Sequence, residues 1–339
     1  MNSNKEFYPS SVNFAKADKN DLKLLTAFSR RMRQQNIKIF PVDGTEIFEK
    51  YRNRNNIGEL NLFILKYGKS IIGCAGYFPF DGLLGSREIS GIIASSVIID
   101  PAYRKLFPAA TVLFARSYKA IVFEQKLVTL FFPFDEEMSL AYKKRPFEHF
   151  TYLYQFTNPF IAQIKPTVKS SLIEIKKINH FDKKDMAAFF KRVSVQHYFL
   201  MHTNSDFLNW KYANNPYRNF TILTAVKKAK LVGYIVTEKI GTDIYVVDMV
   251  VDLDYPSVIL HLMFKALSYF DTETVVNTVF CTAHQNYIDI IKRAGFFCSW
   301  KRECLFLPES FSFFKVGKNS FDASNKRLYH FNGFARHLY

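Results

Sequence analysis

Two stretches decide how this chain is read: Ile98-Ile99-Asp100-Pro101-Ala102-Tyr103-Arg104 and Met249-Val250-Val251-Asp252-Leu253-Asp254-Tyr255-Pro256. Each closes a β-rich run. Each is followed by an apolar helix pattern, a short strand, a second helix and an aromatic corner. In the first copy the corner reads Ala141-Tyr142-Lys143-Lys144-Arg145-Pro146-Phe147. In the second it is Asn286 followed by Lys292-Arg293-Ala294-Gly295-Phe296. A duplication of this kind fixes the architecture before any single side chain is interpreted.

Working outward from these stretches, residues 12–17 read as a strand and Asp18 as the cap of a helix over 19–35. That helix carries Leu22, Leu25 and Phe28 on one face. Arg30, Arg31 and Arg33 lie near its C-terminal end, where cations complement the helix dipole, so this cluster needs no ligand to explain it. Residues 60–67 and 70–79 form a hairpin pattern across Gly68-Lys69, and 89–100 a long strand with Gly91, Ala94, Ser95 and Ser96 in its middle. A helix over 108–124 opens with Pro108, and 127–132, 135–144 and 147–156 follow as strand, helix and strand. The order then restarts after a linker-like stretch. Strand 172–178, helix 182–192, hairpin strands 219–227 and 230–239, strand 243–251, helix 257–270, strand 274–281, helix 284–294 and strands to 307 complete it. The expected division is a domain over 1–156, a linker over 157–171, a domain over 172–307 and an irregular tail, 308–339, packed on the body.

Composition agrees with packed interiors, since 48% of residues are hydrophobic. The net charge of +16 comes from 46 Lys and Arg against 30 Asp and Glu. It divides into +7 for residues 1–160 and +9 for residues 161–339, so it is spread out rather than gathered in a tail. Such a field either attracts polyanions or serves as a solvated basic surface. Cys74, Cys281, Cys298 and Cys304 form no CxxC pair and no metal-like spacing. His197 and His202 fall on different helical faces, with no carboxylate at ligand spacing. The start, MNSNKEFYPSS, has no apolar h-region, and no stretch approaches the roughly 18 apolar residues of a spanning helix. The expectation is a cytoplasmic protein with no transmembrane segment.

The repeated order β-α-β-β-β-α-β-α-β resembles the GCN5-related N-acetyltransferase (GNAT) superfamily, arranged in tandem over about 12–156 and 172–307. Residues 97–104 (VIIDPAYR) look like that family's fourth strand and the Arg that opens its pyrophosphate loop. Tyr142 to Phe147 and Asn286 to Phe296 look like its closing corners. Asp206-Phe207-Leu208-Asn209-Trp210-Lys211-Tyr212 with Asn215-Pro216 resembles a segment of bacterial tandem GNAT proteins, and Trp210 and Tyr212 are expected to pack at a domain interface. The resemblance implies an α/β fold of two GNAT-like domains, each a mixed, largely antiparallel sheet flanked by helices.

The resemblance also implies a site. Acyl-CoA lies in a splay between strands four and five, its pantetheine pairing with strand four and its pyrophosphate meeting amides at the next helix start. Carried onto this chain, the seat comprises Val97, Ile98, Ile99, Arg104, Lys105, Leu106, Phe107 and Ala109. Tyr142 takes the place of the proton donor to the thiolate. The first loop departs from the family pattern: Phe107 replaces a glycine and Pro108 has no N–H. Lys105 adds a point charge suited to phosphate. The second loop, Asp254-Tyr255-Pro256-Ser257-Val258-Ile259, has neither glycine nor Arg, and Ile291 stands at the tyrosine position. Asp248, in strand four, is a candidate base or a structural hydrogen-bond partner, and Asn286 a candidate helix cap.

Three functions follow. The first is an acyl-CoA-dependent N-acyltransferase, in particular an N-acetyltransferase, that moves the acyl group of acetyl-CoA or another acyl-CoA to a primary amine of a small molecule or amino sugar. The second is a Fem-type aminoacyltransferase, which would take its acyl group from aminoacyl-tRNA and bind tRNA with steep salt dependence. The third is a GNAT-like module that has lost catalysis and binds a ligand or partner.

Overall fold

A computed structural model describes residues 11–35, 37, 61–84, 87–104, 109–124, 127–131, 148–159, 173–197, 199–201, 204–270, 277–282, 284–306 and 329–330. The expected helix over 135–144 and most of the expected linker lie outside them. The chain divides into two units. The first takes residues 1–80, 90–132 and 309–313, and the second takes 81–89, 133–308 and 314–339.

In the first unit the strands run in the order β1 (Val12–Lys16), β2 (Leu62–Tyr67), β3 (Ser70–Leu84), β4 (Arg87–Ile99) and β5 (Val128–Phe131). β1–β2 and β2–β3 are antiparallel, whereas β4–β5 is parallel. Helix α1 (Leu22–Gln34) follows a capped turn, in which Asp18 accepts the Asn20 N–H at 2.7 Å and Lys66 pairs with Asp21 at 2.6 Å. Its spacing puts Leu25, Phe28 and Met32 on one stripe. That stripe packs on Leu62, Ile64, Ile71, Cys74 and Ile98. Helix α2 (Ala109–Tyr118) runs between β4 and β5 and continues as a wider-wound turn over Lys119–Glu124.

The second unit repeats the plan with longer decoration. Its order is β13 (Phe297–Phe306), β6 (Glu148–Asn158), β12 (Asn277–Thr282), β11 (Asp243–Val251), β10 (Lys230–Ile240), β9 (Thr221–Lys227) and β7 (Glu174–Lys177). Only β11–β12 is parallel in this run. Helix α3 (Lys183–Val193), capped by Asp182, buries Met186, Phe189, Phe190 and Val193 on one face of the sheet. Helices α5 (Val258–Leu267) and α6 (Gln285–Arg293) cover the other. Between α3 and β9 lie β8 (Phe199–Met201) and the short α4 (Ser205–Leu208), elements that the sequence pattern leaves unmarked. β8 pairs with Gly82–Leu84 at the far end of β3 and with β14 (Tyr329–His330), part of the C-terminal tail.

β6 is the strand that the sequence order places at the close of the first copy. In the structure it belongs to the second unit, with Phe156 opposite both Phe280 of β12 and Cys298 of β13.

The two units share a set of contacts in atomic detail. In the first, the Arg31 Nε donates to Asp100 at 2.8 Å and its Nη2 to the Ile71 carbonyl at 2.6 Å. In the second, the Arg192 Nε donates to Asp252 at 2.8 Å and its Nη2 to the Leu231 carbonyl. The amide of each aspartate donates to strand three, Asp100 to Ile72 and Asp252 to Val232, both at 2.9 Å. One residue further along lies a glycine, Gly73 or Gly233, where an added Cβ would meet the Ile98 carbonyl at 3.1 Å or the Val250 carbonyl at 3.2 Å. Each guanidinium also lies over an aromatic ring of its own helix, Phe28 or Phe189. The arginine that sequence reasoning assigned to the helix dipole is therefore a buried carboxylate's partner.

Removing the arginine strands a carboxylate that is 3% exposed in Asp100 and 1% in Asp252. Arg31→Met and Arg192→Met are expected to destabilise the unit concerned by about 2–3 kcal/mol in denaturant unfolding. A second expectation concerns the β9–β10 turn, where Lys228 and Ala229 both have positive φ, 48° and 60°. Replacing that pair with Asn-Gly removes the left-handed cost and should stabilise the protein by about 1 kcal/mol, read as a higher melting temperature.

Candidate functional site

In the first unit, β4 pairs with β5 from Gly91–Val128 to Ala94–Phe131, and β4 then continues to Ile99 beyond its last partner on β5. Among the described residues, 95–99 have no partner on β5, whose described part ends at Phe131. Val97, Ile98 and Ile99 all lie on this stretch, Ile98 and Ile99 being buried. Asp100 then turns the chain. Its carboxylate accepts the Ala102 N–H at 3.1 Å while Arg31 holds the other oxygen. Arg104 is exposed, and its Nε returns to the Ile99 carbonyl at 3.2 Å. Ala109, 1% exposed, begins α2. The structure thus brings Val97, Ile98, Ile99, Arg104 and Ala109 to one strand end and one helix start. Lys105, Leu106, Phe107 and Tyr142 lie outside the described residues.

In the second unit the corresponding strands part, and a side chain meets the strand end. β11 pairs with β12 as far as Val246–Phe280 and runs on to Val251. There the Val251 N–H donates to the Tyr287 hydroxyl at 2.7 Å, and that hydroxyl lies 3.4 Å from the Val251 carbonyl. Tyr287 is fully buried, and burial pushes its phenol well above the usual range. In the following loop the Leu253 N–H donates to Gln196 Oε1 at 2.8 Å, the Asp254 N–H to Asp252 at 3.1 Å and the Tyr255 N–H to the Asp252 carbonyl at 2.8 Å. Burial raises Asp252, but hydrogen bonds from Arg192 and Gln196 outweigh it and leave the carboxyl below its ordinary value.

No protein-family model matches the sequence, and no curated protein matches it. Solved structures do. A tandem GNAT protein from the clavulanic acid biosynthesis pathway, solved without AcCoA, is 12% identical, with 87% of this chain and 97% of that one covered at a TM-score of 0.60. A conserved protein of unknown function from Enterococcus faecalis, described as a probable N-acyltransferase, is 14% identical over 89% and 74%, at 0.63. N-myristoyltransferase from Saccharomyces cerevisiae with bound myristoyl-CoA is 7% identical over 88% and 83%, at 0.63. At such identities the likeness speaks to the backbone alone. The chain has the tandem GNAT fold.

Within that fold, Asp248 occupies strand four of the second GNAT unit. A bulge sets it: Val236 of β10 faces Asp248, and the next pair is Thr237–Val246, so Val247 is an extra residue. Asp248 is 2% exposed and accepts from the Tyr212 hydroxyl at 3.0 Å and the Tyr234 hydroxyl at 3.2 Å. Burial raises its carboxyl to about 7 against the pull of Lys211 and the two tyrosines. Lys211 is buried on a wide turn, Asn209–Ala213, with its ammonium 5.5 Å from the Phe207 ring centre and 5.2 Å from that of Tyr212. Burial lowers it to about 7, Asp248 raising it and Arg218 lowering it.

Sequence reasoning reached Asp248 and missed its partners. Tyr212, expected at a domain interface, lies in the core of the second unit with Phe181, Phe189 and Tyr234. Asn286, a candidate cap, is exposed. The cap of α6 is His284, whose Nδ1 accepts the Asn286 N–H at 3.2 Å, and burial lowers this ring to about 4. Ile291 is a core residue, and the tyrosine that reaches strand four is Tyr287, one turn earlier. The repeated Ile71-Ile72-Gly73 and Leu231-Val232-Gly233 triplets were the available signal for the two clamps.

Asp248 has a testable pH signature. Its native value of about 7 lies above the ordinary 3.8, so its contribution to stability is fully present below pH 3.8 and lost as pH rises through about 7. Asp248→Asn should flatten that decline in melting temperature between pH 4 and 7. Lys211 works in the opposite sense above pH 7: its lowered value gives a contribution present above 10.5 and lost as pH falls through about 7.

Proposed function

We propose that this chain is an acyl-CoA-dependent N-acyltransferase, acting on a primary amine of a small molecule or amino sugar, with its acyl-CoA seat in the first GNAT unit. The observation that carries the reading is the end of β4. Beyond its last described partner on β5, the strand leads through a clamped turn to Arg104, and α2 is described from the buried Ala109 onward. That arrangement fits the extended, amide-bearing arm and the phosphates of a coenzyme A thioester. A freed strand edge offers main-chain hydrogen bonds, and a helix start with a nearby cation favours negative charge.

In this reading Val97, Ile98 and Ile99 are assigned to the strand edge, Arg104 and Lys105 to the phosphate charge, and Leu106, Phe107 and Ala109 to main-chain N–H donation. Bound acyl-CoA supplies a thioester carbonyl as electrophile and a thiolate as leaving group. The attacking amine loses a proton as its C–N bond forms and the C–S bond breaks, and Tyr142 is assigned to protonate the departing sulfur. Asp248 is assigned to the core of the second unit, because both of its oxygens are engaged by tyrosine hydroxyls away from solvent.

Calorimetric titration with acetyl-CoA tests the reading. Binding is expected, weakened about tenfold by Arg104→Ala, which removes a charge-assisted phosphate contact. Tyr142→Phe should lower turnover by about 10²-fold or more while leaving cofactor affinity unchanged. Absence of heat up to millimolar acetyl-CoA in folded protein overturns the proposal. Salt-sensitive retention of tRNA in that same protein would move the reading to an aminoacyl-tRNA enzyme.

A further inference from the structure

We infer that the second GNAT unit is sealed by its own side chains, so that the chain takes one acyl-CoA and not two. Three independent observations converge on this. The first is the strand edge. The groups of Val251 that an added strand-like ligand would pair with are met by one side chain, the Tyr287 hydroxyl, which accepts the N–H at 2.7 Å and lies 3.4 Å from the carbonyl. Tyr287 is held in place by Phe280 and by an edge-on contact with His284 at 5.3 Å. It is part of the main core cluster on that face, so it does not swing aside cheaply.

The second observation is the loop. The Asp254 and Tyr255 amides return to Asp252 just as Ala102 and Tyr103 return to Asp100, so what sets this loop apart is the Leu253 amide, which Gln196 takes at 2.8 Å where the first loop has Pro101. At the helix start, the Val258 and Ile259 amides donate to the Tyr255 and Pro256 carbonyls. A phosphate would have to displace these bonds without the glycine that lets backbone approach closely.

The third is charge. Where the first loop carries Arg104 and Lys105, the second carries Asp254, whose exposed carboxylate repels a pyrophosphate. Tyr287 and Gln196 therefore stand in for a ligand, one on the strand and one on the loop. The duplication has produced one seat and one internal plug.

The inference rests on the acyl-CoA reading only for the count of ligands, and the test separates the two. Acetyl-CoA titration should give one equivalent per chain. Ser257→Trp, which would obstruct a seat at the start of α5, should leave that equivalent unchanged, and Arg104→Glu should weaken it at least about tenfold. Two equivalents, or a single one lost in Ser257→Trp and kept in Arg104→Glu, overturns the inference. If no acetyl-CoA binds at all, the proposed function fails, and amide hydrogen exchange decides the seal by itself. The Val251 amide should exchange at least about tenfold faster in Tyr287→Phe than in the unsubstituted protein, whereas equal rates overturn the seal.

Discussion

A buried carboxylate at the end of the fourth strand, held by an arginine from the first helix of the same unit, is the constraint on which the rest of each half depends. Asp100 and Asp252 sit where strand, loop and helix meet, and neither could remain charged there alone. The arginine does more than neutralise. Its second nitrogen reaches a carbonyl of strand three, Ile71 or Leu231, so that helix, strand three and strand four are tied at one point. The other carboxylate oxygen takes an amide two residues on, Ala102 or Asp254, which sets the direction in which the loop leaves the sheet. The glycine beside the clamp is small because strand four's backbone passes against it.

From that shared frame the halves diverge in what they place at the end of strand four. The first half follows the clamp with cations, Arg104 and Lys105. The second follows it with Asp254 and closes the edge with Tyr287. The interior of the second half is also more polar than a plain hydrophobic core: Asp248, Tyr212 and Tyr234 share two hydrogen bonds beneath α3, with Lys211 near enough to bias their titration. Groups of this kind cost stability unless every partner is present, and they fix one arrangement of the helix against the sheet.

Period and repetition were enough to read the elements. The helices at 22–34 and 183–193 declare themselves through apolar residues three and four apart, and 243–251 is a strand on composition alone. The resemblance to tandem GNAT proteins placed the strand-four ends correctly in both halves. What sequence reading missed were partnerships between distant positions. Arg31 looks like any cation at a helix end, because nothing local reveals that Asp100 will lie beside it. Tyr287 was overlooked because the family pattern directs attention to position 291, while the hydroxyl that reaches Val251 comes from the preceding turn. Lys211 lies in a motif legible as a segment but silent about burial, since a lysine is seldom predicted to be inside.

β6 carries a consequence for biosynthesis. It is the inner strand between β12 and β13, yet both partners lie roughly a hundred residues or more further along the chain. A ribosome therefore releases Tyr152, Tyr154 and Phe156 long before anything exists to pair with them. During that interval the nascent chain exposes an aromatic strand with two bare edges, the kind of surface that chaperones recognise and that neighbouring nascent chains can capture. The strand around which the second unit's sheet is built thus has to wait for the rest of that sheet to be made.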